Sequence, residues 1–304
     1  MGGARRIADL QNSDRLVVLR RAIAVAHRHA LRAQAVSLIV SVVMAGLSVL
    51  ARTVPAAAPT VVLVGAAWAG VYAIFVVPWI GRHLRTGATL QEMFDVALFR
   101  LPWNNVAVGE PVPDHEVSRL SRRFRGDERR LRDYYLVADV PEPYDVLFCL
   151  EQNLAWGSRV RRRYANIVVG LVLLWCASGI IAGIVSGLTV ADLVSTWFVP
   201  SLALLLLGLE VHRTQMSNTR ERNRVLELLE AALPSDGATA TLTPRPAWTD
   251  FARKIQDALF HIRCQQSRVP EWLFRRWHDT DRADFQFKMR ALEARVNGAS
   301  AVAR

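Results

Sequence analysis

Lysine is almost absent from this 304-residue chain. Lys254 and Lys288 are the only two, so a net charge of +11 is carried by arginine. Cysteine is scarce as well: Cys149, Cys176 and Cys264 are scattered and odd in number. That excludes a disulfide framework and a paired C-x-x-C metal clasp. There is no glycine-rich loop ending in Gly-Lys-Ser/Thr, no H-E-x-x-H, no G-x-S-x-G and no kinase pattern. The seven histidines show no ligand spacing; His27 and His29 sit two apart in an arginine-rich stretch. No catalytic, cofactor-binding or metal-ligating residue is expected, and the chain does not read as an enzyme. A small-residue cleavage site is also missing after the first apolar run, which predicts a retained helix rather than a signal peptide.

Charge is missing from four long stretches. Residues 33–51, 60–80, 165–186 and 193–209 contain no Asp, Glu, Lys or Arg. A bilayer core of about 30 Å needs about 20 apolar residues in helical form. The fourth run is the shortest, and its block Leu202 to Leu207 has no helical periodicity, as expected of a helix apolar on every face. A soluble core would have to bury four helices of spanning length, which soluble domains rarely contain. The predicted fold class is therefore an all-α membrane protein of four transmembrane helices with a mostly helical cytosolic domain. No ionisable group lies near the middle of a span. That weighs against an ion-coupled transporter, which keeps such a costly group for use, and leaves a pore open. Asp192 lies only at the outer edge of span four.

Arginine placement sets the orientation. Arg5, Arg6, Arg15, Arg20, Arg21, Arg28 and Arg32 precede span one. Arg82 and Arg85 follow span two, and Arg159, Arg161, Arg162 and Arg163 precede span three. Arg213, Arg220, Arg222 and Arg224 follow span four. The connection between spans one and two has only Arg52, and that between spans three and four has no basic residue. The positive-inside rule puts both termini and the middle segment in the cytosol. Five parts follow: a basic N-terminal segment (1–32), spans one and two (33–80), a cytosolic segment (81–164), spans three and four (165–209) and a cytosolic C-terminal segment (210–304).

Both cytosolic segments read as helical. Leu90, Phe94, Ala97 or Leu98, and Leu101 recur at helical spacing before Pro102. Glu92 and Asp95 fall on another face, where carboxylates are usually solvated or paired with arginine. Asp114 is positioned to cap a helix bearing Val117, Leu120 and Phe124. Tyr144, Leu147, Phe148, Leu150 and Leu154 form a stripe that leads through Trp156 towards span three in one continuous helix. Span four extends through Arg220, Glu221 and Arg222 to Val225, Leu228 and Leu229. After a linker from Pro234 to Pro246, Thr249 or Asp250 caps a helix with Phe251, Ile255, Leu259 and Ile262. A last helix carries Phe285, Met289, Leu292 and Val296. Trp272, Leu273, Phe274 and Trp277 read as core, with a membrane-surface position as the alternative.

Gly179, Gly183 and Gly187 are spaced by four, a step close to one helical turn. Small residues so placed let a neighbouring helix approach closely. Ser37, Ser41 and Ala45 repeat the pattern in span one. The neighbour is either another helix of the same bundle or a second subunit of an oligomeric pore.

Three segments resemble the S-4TM family of bacterial four-helix membrane effectors. The first runs from Leu90, Gln91, Glu92 and Asp95 to Leu101, Pro102, Trp103 and Asn104. The second is Cys149 to Tyr164, with Trp156 and Arg159. The third contains Ile255, Gln256, Asp257 and Arg263, then Pro270, Glu271 and Trp272. The resemblance spans nearly the whole chain and implies a pore-forming or membrane-disrupting effector of antiphage defence and abortive infection. It implies a bacterial inner-membrane location and gating by a cyclic oligonucleotide made by a partner nucleotidyltransferase. Gln91, Asp95, Pro102, Trp103, Asn104, Trp156, Arg159, Gln256, Asp257, Arg263, Pro270 and Trp272 form the candidate cytosolic motif. The expected partners are membrane lipid and further copies of the chain, with no direct nucleic-acid binding. A non-conducting membrane anchor that recruits a cytosolic partner is the rival reading.

The arginine asymmetry makes a direct prediction. Reporter fusions at Gly2, near Asp127 and at Arg304 should register the cytosol, and a tag near Ala57 the outside. A periplasmic signal at Asp127 would defeat the four-span topology.

Overall fold

The computed structural model describes residues 3–51, 54–136, 140–233, 245–265 and 269–270, with positions 273, 276, 283, 286–287, 289–291, 293–294 and 296. Trp272, Phe274, Trp277, Phe285 and Leu292 lie outside the described residues, as does most of the expected linker. Among the described residues the regular structure is helical, with no strand.

The chain divides into two compact units. The first comprises Met1–His27, Leu84–Val160 and Asn218–Arg304; the second comprises Arg28–His83 and Arg161–Ser217. Helices α1 (Gly3–Leu10) and α2 (Asp14–Leu50) open the chain. Helix α3 (Ala58–Val71) runs through a π turn at Tyr72–Val76 into α4 (Val77–Phe99). Short helices α5 (Asn105–Val108) and α6 (Asp114–Arg122) follow. Then come α7 (Tyr144–Ala155), α8 (Ser158–Val185), α9 (Val190–Leu193), a π turn at Val194–Phe198, α10 (Leu202–Ala231) and α11 (Arg245–Gln265).

Three helical stretches are long and apolar enough to cross a membrane: Asp14–Leu47, Pro59–Phe99 and Tyr144–Val185. The fourth crossing differs from the straight span expected. Val190–Phe198 and Leu202–Ala231 qualify only as a pair, bent by 71° at the break between them. Pro200 explains the break, since it has no N–H to give and its ring crowds the preceding turn.

The first unit is a helical core. Leu90, Phe94 and Leu98 of α4 have no exposed surface, and Leu101 is buried. Ala97 is exposed, so Leu98 carries the stripe. Leu147, Phe148, Leu150 and Leu154 of α7, Leu229 of α10 and Leu259 of α11 join the same cluster. The N-terminal segment contributes more than its arginines, because Ile7, Leu16, Leu19 and Ile23 also lie in this core. Helix α10 continues through Arg220, Glu221 and Arg222 as the sequence predicts.

Four boundaries depart from expectation. Helix α4 stops at Phe99 because Arg100 turns left-handed (φ 55°) and the Leu101 N–H returns to the Val96 carbonyl at 3.2 Å. This is a Schellman-type stop that precedes Pro102. The stripe of α7 does not run unbroken into span three. Trp156 is extended (ψ 124°) and Gly157 takes φ 78°, a left-handed conformation that favours glycine. Asp114, Thr249 and Asp250 are not caps. Asp114 is the first residue of α6, after Pro113, and α11 starts earlier, at Arg245, with Pro246 in its first turn.

The second unit holds the small-residue faces. Ser37, Ser41 and Ala45 are buried, and Trp68 donates its indole N–H to Ser41 Oγ at 3.0 Å. Gly179 lies under Trp197; a Cβ there would stand 2.4 Å from Trp197 Nε1. Gly183 faces Leu193, with a Cβ position 3.1 Å from its nearest side-chain carbon. Gly187 does not share this face. Helix α8 ends at Val185, and Gly187 forms the turn beyond it with φ 62°. Outward-facing apolar side chains such as Leu63, Phe75, Leu173 and Ile184 are more than 60% exposed.

These distances rank the glycines. Gly179→Leu should lower the thermal midpoint of the detergent-solubilised protein more than Gly183→Leu, because an indole ring must move rather than a flexible leucine tip. An overpacked site costs about 1–3 kcal/mol. Equal midpoints for both variants and wild type would show that Trp197 is not held on this face.

Candidate functional site

Most residues of the candidate motif meet in the first unit, around a carboxylate with no access to water. Asp95 and Glu92 of α4 both have 0% exposure. Residues three and four apart on a helix share a face. Hence Gln91, Glu92 and Asp95 align on α4, and Arg253, Gln256, Asp257 and Arg263 align on α11.

Asp95 is the hub. Its Oδ1 accepts from the Tyr135 hydroxyl at 2.7 Å and from Gln91 Nε2 at 3.1 Å. Its Oδ2 accepts from Gln256 Nε2 at 3.0 Å and lies 2.7 Å from Arg263 Nη1. Gln256 Nε2 also donates to Glu92 Oε2 at 2.8 Å. Arg253 forms an ion pair with Glu92 and a second with Asp257 at 2.9 Å, and donates to the Pro102 carbonyl at 3.1 Å. The sequence expectation that Glu92 and Asp95 are solvated or arginine-paired resolves to burial with arginine partners.

Burial sets the electrostatics. It pushes the Glu92 carboxyl upward, with the Arg253 guanidinium opposing. It pushes the Tyr135 phenol well up, and the Asp95 charge adds to the shift. Burial pulls the Arg263 guanidinium down, but Asp95 and then Tyr135 outweigh it, so Arg263 stays charged. Arg263 pairs with Asp95 in a geometry that leaves both Nη groups without a hydrogen-bond acceptor among the described residues; Gln256 Oε1 is likewise buried without a donor.

The Leu101 to Asn104 turn is tied into this lattice. Asn104 caps α5, accepting from the N–H groups of Val106 and Ala107, and donates to Asp257 Oδ2 at 2.9 Å. Trp103 donates to the Gly109 carbonyl at 3.0 Å and packs on a small cluster of Ala88, Val108 and Phe260. The lattice thus joins Gln91, Asp95, Pro102, Asn104, Gln256, Asp257 and Arg263, with Trp103 beside it. Trp156 packs on the main core at the end of α7, and Arg159 is exposed on α8. Pro270 is half-buried and accepts from the Leu273 N–H at 3.1 Å. Trp272 lies outside the described residues.

Sequence reasoning missed three participants. Arg253 lies one turn before Asp257, a spacing that could have flagged it. Tyr135 sits in a loop with no periodicity to mark it; Gln11 holds its backbone, accepting from its N–H at 2.9 Å and donating to its carbonyl at 3.3 Å. Arg20 looked like a topology signal. Its guanidinium stacks 3.7 Å from the Tyr134 ring centroid and donates to Gln91 Oε1 at 3.2 Å. Among the described residues, no cluster of three His, Cys, Asp or Glu side chains could hold a metal ion. The arrangement fixes α4, the turn after it and α11 to one another.

Comparison with known proteins follows the same extent. A family model described as the SMODS-associating 4TM effector domain matches residues 5–292. A protein named as a probable CBASS effector molecule, from Bacillus cereus (strain VD146), is 26% identical over 196 residues. The match covers 64% of this chain and 64% of that relative's length. No solved structure matches.

The lattice predicts unequal costs for its two acids on Oδ-bearing side chains. Asp95→Asn leaves Arg263 buried without its counter-charge and should cost about 3–5 kcal/mol. Asp257 retains 23% side-chain exposure, so Asp257→Asn should cost much less. Denaturant unfolding of both variants checks this; equal losses would mean that Asp95 is not the hub.

Proposed function

The chain belongs to the SMODS-associating 4TM effector family, and on that premise we propose that it is a membrane-disrupting effector of CBASS antiphage defence. In this reading the first unit lies in the cytosol and receives the signal, a cyclic oligonucleotide made by a partner nucleotidyltransferase. The second unit sits in the inner membrane, its exposed apolar side chains covered by lipid, and further copies of the chain join it to breach the bilayer.

One observation carries the reading. The chain passes between its two units four times, at residues 27–28, 83–84, 160–161 and 217–218. Each passage falls inside a helix: α2, α4, α8 and α10. A hydrogen-bonded helix moves as a rod, so a shift at one end is delivered to the other rather than absorbed by a loop. Helix α4 carries Glu92 and Asp95 on its first-unit portion and the apolar run of residues 77–80 at its start. A ligand that rearranges the lattice would therefore act directly on a membrane segment.

The test is membrane potential in cells expressing the protein with and without a co-expressed nucleotidyltransferase of the same defence type. Depolarisation and growth arrest should require both proteins. Full potential with both present would overturn the proposal and favour the non-conducting anchor.

A further inference from the structure

Helix α8 uses one of its faces within the subunit. The bent fourth crossing runs along that face. Leu193 lies on Gly183, Trp197 on Gly179 and Val172 on Gly208, and His212 Nδ1 stands 3.1 Å from the Ala165 carbonyl oxygen. The glycine face brought forward by its spacing in the sequence is therefore taken by the chain's own helices. Another face of α8 is uncovered. Asn166, Gly170, Leu173, Ala177, Ile180 and Ile184 are all exposed. Their steps alternate between four and three residues, the repeat of a coiled-coil seam. The six positions fall within an arc of about 80° around the helix.

The rest of the exposed side of α8 offers a comparison. Ile167, Leu171, Leu174, Ile181 and Val185 form a neighbouring stripe, every member large and more than 40% exposed. Lipid tails are as apolar as leucine, so such a stripe suits acyl chains. The seam is different, because it holds an amide, a glycine and an alanine. A Cβ at Gly170 would meet nothing within 4 Å, so no contact inside the subunit accounts for this glycine. Small residues let a second helix backbone approach closely, and an amide in a membrane is satisfied by a polar group on a facing helix. Both features call for a helix on this face.

A second copy of the chain meets that need. Copies inserted in one orientation hold each residue at the same depth, so a parallel pair sets Asn166 against Asn166 and Gly170 against Gly170. One polar residue in an otherwise apolar seam fixes that register. Arg163 and Arg159 continue the same steps beyond the Asn166 end, and both are exposed. Arg159 belongs to the candidate motif, yet the lattice around Asp95 does not include it. Like charges brought together there oppose the pairing, and salt screens them.

We propose that the seam from Asn166 to Ile184 is the surface by which span three of one copy packs in parallel on span three of another. The contact itself needs only the membrane. Its part in breaching the bilayer rests on the effector reading above.

Cysteine cross-linking compares the two stripes. The full chain, with Cys176→Ala and Cys264→Ala, is held in membrane vesicles from cells without the nucleotidyltransferase. At about 0.5 M KCl exposed charges are screened within about 4 Å. Under oxidation Ala177→Cys should then give a disulfide-linked dimer, and Leu174→Cys, on the all-large stripe, should not. Lowering the salt to about 0.02 M should reduce the Ala177→Cys yield. Adding Gly170→Leu should abolish that dimer and leave the thermal midpoint of the subunit unchanged, because the new side chain starts in open space. If the Gly170→Leu variant does not accumulate, the comparison of the stripes decides. Equal yields from the two stripes would mean that lipid covers both. That result, a dimer that survives Gly170→Leu, or a yield that rises as salt is lowered overturns the proposal. In cells with a co-expressed nucleotidyltransferase, Gly170→Leu alone should keep the membrane potential intact. Depolarisation by that variant, with the cross-linking contrast in place, supports the seam as a contact and overturns its part in the effector reading.

Discussion

Asp95 is a carboxyl with 0% exposure, and the first unit is arranged around giving both of its oxygens partners. A buried carboxylate without partners costs several kcal/mol even after the surroundings relax. Here Tyr135, Gln91, Gln256 and Arg263 share that cost, and they come from three separate parts of the chain. None of them is free to leave without exposing the rest. Gln91 is held in turn by Arg20 from α2, and Tyr135 by Gln11. The N-terminal segment, the middle segment and α11 are therefore coupled through one ion rather than through apolar contact alone. Apolar packing tolerates sliding more readily than a hydrogen-bonded charge, which favours one register and penalises others.

Much of this was legible in the sequence, for specific reasons. The core stripes of α4 and α7 showed because one face of a helix repeats every three or four residues. The Leu101 to Asn104 turn showed because proline and asparagine have position-specific uses, and the structure gives both residues partners on α11. The polar lattice was harder to see. A charge on a helix looks solvated until its partner is known, and Arg253 is more than 150 residues from Glu92. The break in span four was hidden differently. Hydropathy sums composition over a window, so Val199, Pro200 and Ser201 read as membrane-compatible while their backbone cannot continue the helix. Gly187 misled for the same reason: a spacing of four says nothing about where the helix ends.

The two units solve opposite problems with the same element. In the second, every backbone donor and acceptor must be satisfied within the helices, because lipid supplies none. Its irregularities are accordingly local, as at Ser201, or confined to turns with a bulged hydrogen-bond ladder at Tyr72–Val76 and Val194–Phe198. Such π turns mark places where a helix can change register at small cost. One precedes the first-unit end of α4 in sequence, and the other precedes the break before α10. Each lies just before a helix that passes from the second unit into the first, α4 and α10.

The scarcity of lysine acquires a physical sense in this setting. Arg253 addresses Glu92, Asp257 and the Pro102 carbonyl with three different nitrogens of one planar group. An ammonium is a compact, strongly hydrated point charge, and its pKa falls readily on burial. At Arg253 or Arg263 a lysine would tend to lose its proton, and Glu92 would lose a charge that opposes the upward push of burial on its carboxyl. Guanidinium keeps its charge under the same burial, and its flat face stacks where Arg20 meets Tyr134. The lattice therefore calls for arginine at Arg253 by geometry and by ionisation together, and at Arg263 by ionisation, whatever sets the arginine content of the rest of the chain.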